Sequence, residues 1–344
     1  MKAAFFRRHG GPEVLEVGEA PEPVVASGTV VVRVHAVSVN HLDLWTRRGL
    51  PGLNLEMPHI LGSDAAGVVE TIGEDVAGWS PGDRVVINAG LSCGICDFCQ
   101  AGDEALCRRF RVLGEHVRGA AAELVRVPAT NLFRLPDDYP YVQAAAASLV
   151  FQTAWRALHN PHRGRLRTDE TLLVTGGSGG VATAGIQIGR HLGARVMAIT
   201  SGPENARRLS ELGADVVIDR LSEDVDARIR AEAAGRGVDV VLDSVGDAMW
   251  ETATRALGPD GRLVVYGATT GAKVPLHLAH LFWKQLSVIG STMSSRREFE
   301  EVMRLVVNGE LEPVVDDVLP LEQIRDAHER LEAGQVFGKL VLKP

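Results

Sequence analysis

The sequence predicts an α/β protein. A doubly wound parallel sheet in the second half of the chain joins a β-rich first domain that carries a metal lobe. Three observations predict it. Strand-like and helix-like segments alternate from Thr171 to Gly290, the pattern of a parallel sheet with crossover helices. The first of those strands runs into a glycine cluster, Leu172-Leu173-Val174-Thr175-Gly176-Gly177-Ser178-Gly179-Gly180-Val181-Ala182. All four cysteines of the chain fall between positions 93 and 107.

The 344 residues suffice for two domains with a sizeable core in each. The net charge of −8 is spread along the chain and offers nothing to nucleic acid or an anionic membrane surface. No apolar run approaches the roughly 20 residues that span a bilayer. The opening Met1-Lys2-Ala3-Ala4 leads into a strand-like segment and does not read as a signal peptide. A cytoplasmic enzyme is the expectation.

In chain order, Ala3–Phe6 and Val14–Val17 read as strands flanking a turn at Gly10-Gly11-Pro12, and Val30–Val34 follows a Pro/Gly-rich connection. Val37–Trp45 reads as a strand end passing into a short helix. His59-Ile60-Leu61-Gly62-Ser63-Asp64 turns back into a strand, and Gly82–Val86 adds another. Helical character from Tyr141 to Leu158, with Ala144–Ala147 at its centre, marks the passage to the second domain. There the expected strands are 171–175, 195–200, 215–218, 238–243, 262–267 and 286–290, with helices at 204–212 and 249–257. Two amphipathic helices, Arg297–Val307 and Leu321–Glu332, and a strand Gly338–Leu342 close the chain. The expected division is 1–150 with a lobe at 90–108, then 151–290, then a return of 291–344 to the first domain.

Two motifs carry chemistry. Cys93, Cys96, Cys99 and Cys107 have the close spacing of a four-thiolate zinc site. Such a site is closed and structural, because no position is left for water or substrate. Zinc binding would also fold a lobe with little apolar content of its own. The second motif, Gly177-x-Gly179-x-x-Ala182, fits the dinucleotide fingerprint. Its glycines allow a sharp turn and close backbone approach to a pyrophosphate. The amides of Gly177, Ser178, Gly179, Gly180, Val181 and Ala182 and the positive end of the helix would hold that group.

Together with Gly62-Ser63-Asp64-Ala65-Ala66-Gly67, Asp243-Ser244-Val245-Gly246 and Phe337-Gly338-Lys339-Leu340-Val341, these motifs resemble the medium-chain dehydrogenase/reductase superfamily, the zinc alcohol dehydrogenases and quinone oxidoreductases, over essentially the whole chain. The resemblance implies a GroES-like catalytic domain, a Rossmann domain and NAD(P). It also implies a homodimer or homotetramer, since Val274-Pro275-Leu276 resembles the segment through which many relatives dimerise.

The departures from the zinc alcohol dehydrogenases are specific. Their catalytic zinc ligands fall here at Asn40, Ser63 and near Leu149, and the hydroxyl of their proton relay falls at Leu42. Hydroxyl and amide oxygens replace thiolate and imidazole poorly on zinc. The stretch Val39-Asn40-His41-Leu42-Asp43 instead resembles the zinc-independent quinone and enoyl reductases. Those enzymes pass a hydride to an activated C=C bond, whose own carbonyl spreads the charge. The expected function is therefore NAD(P)H-dependent reduction of a small enone, quinone or carbonyl substrate, with Asn40, Asp43, Asp64 and Thr153 as site residues.

Asn40 reads either as a donor to substrate or nicotinamide or as a turn-stabilising residue. Asp43 and Asp64 read alternatively as buried acids paired with arginines such as Arg47 or Arg84. Two rival functions stay open. One is an alcohol or aldehyde dehydrogenase whose zinc is held by His41 or His59 with Asp64. The other is a dinucleotide-binding protein without turnover.

For the cofactor, an NAD-preferring fold carries an acid at the end of its second strand. Here that position reads Thr200-Ser201-Gly202. Thr200 and Ser201 with Arg207 or Arg208 would accept a 2′-phosphate, so NADP is expected with NAD as the alternative. Val245 and Gly267 end two further strands where ribose and nicotinamide would lie.

Overall fold

The computed structural model describes all 344 residues. They divide into two compact units, Met1–Gln152 with Ser294–Pro344, and Thr153–Met293.

The first unit is built on a seven-stranded sheet around the strand Thr29–Ser38. Its Val30, Val31, Val32 and Val34 are all buried, as expected of a strand covered on both faces. Asp64–Ile72 pairs with it antiparallel, placing Ser38 opposite Asp64. The C-terminal strand Lys339–Lys343 pairs on its other side, Val341 opposite Ser38. Ser38 thus lies beside a residue near position 60 and one near position 340. The turn before Asp64 depends on Gly62, which has φ +96°, and a Cβ there would meet the backbone nitrogen of Ala121 at 2.7 Å.

Two local differences from the sequence reading have simple causes. Pro12 opens a 3-10 turn, Pro12–Val14, so the second strand starts at Leu15. The segment read as one helix over 321–332 is a 3-10 turn, Leu321–Gln323, followed by a helix, Ile324–Glu332.

The second unit is a six-stranded parallel sheet. Its order is Val216–Asp219, Arg195–Thr200, Thr171–Val174, Val238–Asp243, Leu257–Val265, Ser287–Gly290. This is the Rossmann order. The chain starts in the middle, winds to one edge, returns beside its first strand and winds to the other edge. The switch point lies between Thr171–Val174 and Val238–Asp243, where α/β sheets bind ligands beyond their carboxyl ends. Leu173, Met197, Ile199, Ile218, Val241, Leu263 and Trp250 fill the core under one face.

Candidate functional site

In the cysteine lobe the four Sγ atoms lie within 4.8 Å of one another. Cys93 and Cys99 are 3.9 Å apart and Cys96 and Cys99 3.5 Å. Tetrahedral zinc with Zn–S bonds of about 2.3 Å sets its sulfurs about 3.8 Å apart, so the donor set fits the ion. The amides of Cys93 and Arg109 donate to Cys107 Sγ at 3.2 and 3.3 Å, orienting that ligand. No other group of three His, Cys, Asp or Glu side chains brings its ligand atoms close enough to share an ion.

A second cluster is buried where Ser38, the 39–43 stretch and the C-terminal strand meet. Asp64 is fully buried. Its Oδ2 accepts from Ser38 Oγ at 2.9 Å, Asn40 Nδ2 at 2.9 Å and Lys339 Nζ at 3.2 Å. Its Oδ1 accepts from the amide of Leu149 at 2.6 Å. Lys339 Nζ also donates to the Val39 carbonyl at 2.9 Å and to Asn40 Oδ1. Both ends of the Asn40 amide are therefore held inside the protein. Burial lowers the Lys339 pKa, and the Asp64 carboxylate opposes that shift.

Asp43 performs a different task. Its two oxygens accept from the amides of Asn40 at 2.7 Å and Gly62 at 3.0 Å, closing a capping box on the helix His41–Arg48 and tying it to the Gly62 turn. Burial raises its pKa to about 6 against the pull of those two amides.

The arginines expected beside these acids are elsewhere. Arg47, fully buried, donates to Glu332, to His328 Nδ1 at 3.0 Å and to the Gly10 carbonyl at 3.2 Å. Arg84 donates to Tyr141 Oη at 2.7 Å and to the carbonyls of Pro136 and Tyr139. The partner of Asp64 is Lys339, 275 positions away.

The alternative zinc set does not assemble. His59 Nε2 lies 3.0 Å from the Gly114 carbonyl, and its ring packs on Phe6. His41 is a neighbour of Lys339 and Arg48, and burial followed by those charges lowers its pKa to about 4. Ser63 Oγ donates to the Leu113 carbonyl at 2.6 Å, and Leu149 is buried and apolar. The residues at the three ligand positions thus supply no soft donor and do not fit a catalytic zinc.

In the second unit the glycine loop precedes a helix, Gly180–His191, whose N-cap Gly179 makes no side-chain capping bond. A Cβ on Gly177 would meet Leu209 Cδ1 at 2.6 Å and the Ile199 carbonyl at 3.1 Å, so the loop lies flat on the neighbouring strand. Thr175 Oγ1 donates to the buried Asp243, which also accepts from the amides of Val245 at 3.2 Å and Gly246 at 3.1 Å. That carboxylate locks the two loops at the switch point together. Gly267 packs on Ser244.

At the end of the second strand Thr200 Oγ1 is buried without a hydrogen-bond partner. Ser201 Oγ accepts from Arg220 Nε at 2.7 Å. Asp219, beside Arg220, is occupied by the amides of Gly202 at 2.8 Å and Leu221 at 3.1 Å and by Ser222 Oγ at 3.1 Å. Arg207 pairs with Glu204 and Glu211 on its own helix, and Arg208 is half-buried on the same helix. The flat loop, the uncapped helix start and the orphaned Thr200 hydroxyl fit a dinucleotide.

Residues 26–137 match the alcohol dehydrogenase GroES-like domain family, and residues 180–308 the zinc-binding dehydrogenase family. The chain is 31% identical to the acryloyl-coenzyme A reductase of Metallosphaera sedula, with 99% of each chain covered. Among solved structures it is similar to an NAD-dependent alcohol dehydrogenase, with 42% identity, a TM-score of 0.96 and all of both chains covered. It is also similar to a crotonyl-CoA carboxylase/reductase in complex with NADP, with 27% identity, a TM-score of 0.90, and 100% of this chain and 94% of that one covered.

The chain belongs to the medium-chain dehydrogenase/reductase superfamily.

As a member it is an NAD(P)-dependent oxidoreductase with a four-cysteine structural zinc site. Asn40, Asp43 and Asp64 come together in one unit, and buried Thr153 opens the other. No helix is long and apolar enough to cross a membrane. Sequence reasoning missed two basic residues. Lys339 stood in a quoted motif, but nothing local linked it to Asp64. Arg220 directly follows Asp219, the last residue of the third strand, and that adjacency to the second strand's end was the available signal.

Proposed function

We propose that this protein reduces a C=C bond conjugated to a carbonyl, using NADPH and no catalytic metal. The observation that carries the reading is the Asn40–Asp64–Lys339 cluster together with Ser63 and Leu149. Where zinc-using relatives place their ligands, this chain places a hydrogen-bonded amide, a hydroxyl turned to the Leu113 carbonyl and a leucine.

When bound, NADPH would supply the hydride. Amides of residues 177–182 hold the pyrophosphate. Thr200 and Ser201 would hold the adenosine ribose, and Arg220, rather than Arg207 or Arg208, would meet its 2′-phosphate. Val245, Gly267 and the Thr153 hydroxyl belong to the nicotinamide side. Asn40, Asp43 and Asp64 are positioning residues that fix the start of the helix His41–Arg48. His41 stays neutral above about pH 4 and offers a hydrogen-bond donor, not an acid. A conjugated carbonyl spreads the incoming charge, so positioning and donors suffice.

A reducing compartment, the cytoplasm, suits four free thiols committed to zinc. A second copy of the chain is the proposed cover for the exposed edge strand Ser287–Gly290 and the exposed Phe282 and Trp283. Sedimentation of Trp283→Glu as a monomer beside a larger wild type would support it.

The test compares NADPH oxidation with an enone and an enoyl thioester against NAD(P)+ reduction with primary alcohols. Zinc is counted per chain in the same samples. Alkene reduction at one zinc per chain supports the reading. Alcohol oxidation at two per chain would replace it with the dehydrogenase alternative, and NADPH binding without turnover on the whole panel with the non-catalytic one.

A further inference from the structure

A cavity of 640 Å³ opens beside the cysteine lobe, lined by Leu91, Phe110, Val117, Arg109, Arg111 and His116 among others. Its volume lies within the range of small-molecule sites. Its walls are fixed by backbone. Gly90–Leu91 pairs antiparallel with Arg111–Val112, Leu91 opposite Arg111. Leu113 bridges to Val117, and the Gly114 amide donates to the Val117 carbonyl at 2.9 Å. The amide of Val112 donates to His116 Nδ1 at 3.2 Å, which aims the other ring nitrogen away from that strand.

The charge here is unusual for this chain. Arg108 pairs with Asp97 and Arg118 with Glu56, the common arrangement on this surface. Neither Arg109 nor Arg111 is paired with a carboxylate, and no carboxylate lines the cavity. The acid of the loop, Glu115, lies against His116 Nδ1 at 3.3 Å. In a protein of net charge −8, two guanidiniums without a carboxylate partner make this concavity a local anion site, and the His116 imidazole, its pKa lowered by burial and by Arg111, adds a neutral hydrogen-bond donor. Phe110, Leu91 and Val117 add apolar surface on which a flat base can lie. Apolar surface beside cationic groups matches the chemistry of an aromatic base that carries phosphate.

We infer that this cavity holds the phosphorylated nucleotide end of a coenzyme A thioester, and so names the carrier of the substrate. The inference rests on the enoyl reductase reading. The reacting acyl group carries little to recognise, and binding energy from a remote nucleotide handle is a recognised way to position it.

Two measurements test it. Calorimetric titration with adenosine 3′,5′-bisphosphate is done on zinc-loaded protein saturated with NADPH, so the cofactor site is filled. Wild type should bind, and Arg109→Ala/Arg111→Ala, checked to retain its zinc, should bind at least about tenfold more weakly. Equal binding by both proteins, or binding no tighter than inorganic phosphate, would overturn the inference.

The second measurement is the ratio of kcat/KM for an enoyl-CoA to that for the same acyl group on N-acetylcysteamine. The double variant should lower that ratio about tenfold or more, through KM. An unchanged ratio also overturns the inference. Failure of both thioesters to react with any variant would sink the enoyl reductase reading instead, and the titration would then decide the cavity alone.

Discussion

The cysteine lobe and the Asn40–Asp64–Lys339 cluster are both polar groups gathered at one point, but they are assembled in opposite ways. The lobe draws its four sulfurs from one segment, Cys93 to Cys107, and the ion they fit supplies the energy that holds them. The cluster draws its members from four stretches of chain, at Ser38 to Asn40, Asp64, Leu149 and Lys339, and the surrounding fold holds them. A site of the first kind survives as a local motif. A site of the second kind exists only when three strands are in register.

The largest expected effect separates the two. Stripping zinc with a chelator, or Cys99→Ser, should unfold residues 93–107 locally, since a structural site contributes on the order of 10 kcal/mol of binding energy. Hydrogen exchange should rise there and stay low at Ser38, Asp64 and Lys339. Loss of protection at both places would show that the lobe supports the cluster.

The reciprocal break is Lys339→Met. It leaves the buried Asp64 carboxyl group without its basic partner, at a cost of about 3–5 kcal/mol in denaturant unfolding. Adding Asp64→Asn should recover part of that loss. A double variant no more stable than Lys339→Met alone would mean that Lys339 acts through packing.

A third buried group, His328 beside Arg47, carries the comparison to pH. Burial, and then Arg47, lowers the pKa of His328 to about 3. Between about pH 3 and 6.5 the unfolded chain binds a proton that the native chain refuses, so stability falls as pH drops through that window. His328→Gln should reduce the stability difference between pH 7 and pH 5 by about 2 kcal/mol. Asp43 works in the other direction. Its pKa, raised by burial to about 6, makes stability decline as pH rises from about 4 to 6. An unchanged pH profile in His328→Gln would show that Asp43 and the other carboxyls dominate.

The smallest effect concerns the cofactor. Arg220→Ala should raise KM for NADPH about tenfold and leave KM for NADH little changed. Arg207→Ala should change neither, because its guanidinium is committed to Glu204 and Glu211. Sensitivity of NADPH binding at Arg207 alone would restore the first expectation.

The fold was legible because each element announces itself over a few residues. The alternation of Leu172–Val174, Val196–Ile199 and Val240–Leu242 with intervening helices is a local property, and their parallel order follows from crossover geometry. The glycine loop and the cysteine spacing are equally local. Misplaced partners share one cause. Arg47 and Arg84 were named as partners for Asp43 and Asp64, but which side chains meet is set by packing between distant segments, and both arginines bond elsewhere. His59 gave no sign of its bond to the Gly114 carbonyl, which depends on a turn 55 residues on. Arg220 was passed over because it follows the third strand, though in register Thr200 and Asp219 are neighbours.

The sequence by itself determined the superfamily, the parallel sheet, the dinucleotide loop and the four-sulfur site, because each is written in residues that stay adjacent when the chain folds. It also determined which ligand types are missing at positions 40, 63 and 149. Only the tertiary structure decided which basic residue pairs with Asp64. A buried carboxylate must find a countercharge, and which one it finds depends on strand pairing. Here the register of Lys339–Lys343 against Thr29–Ser38 brings Lys339 to Asp64.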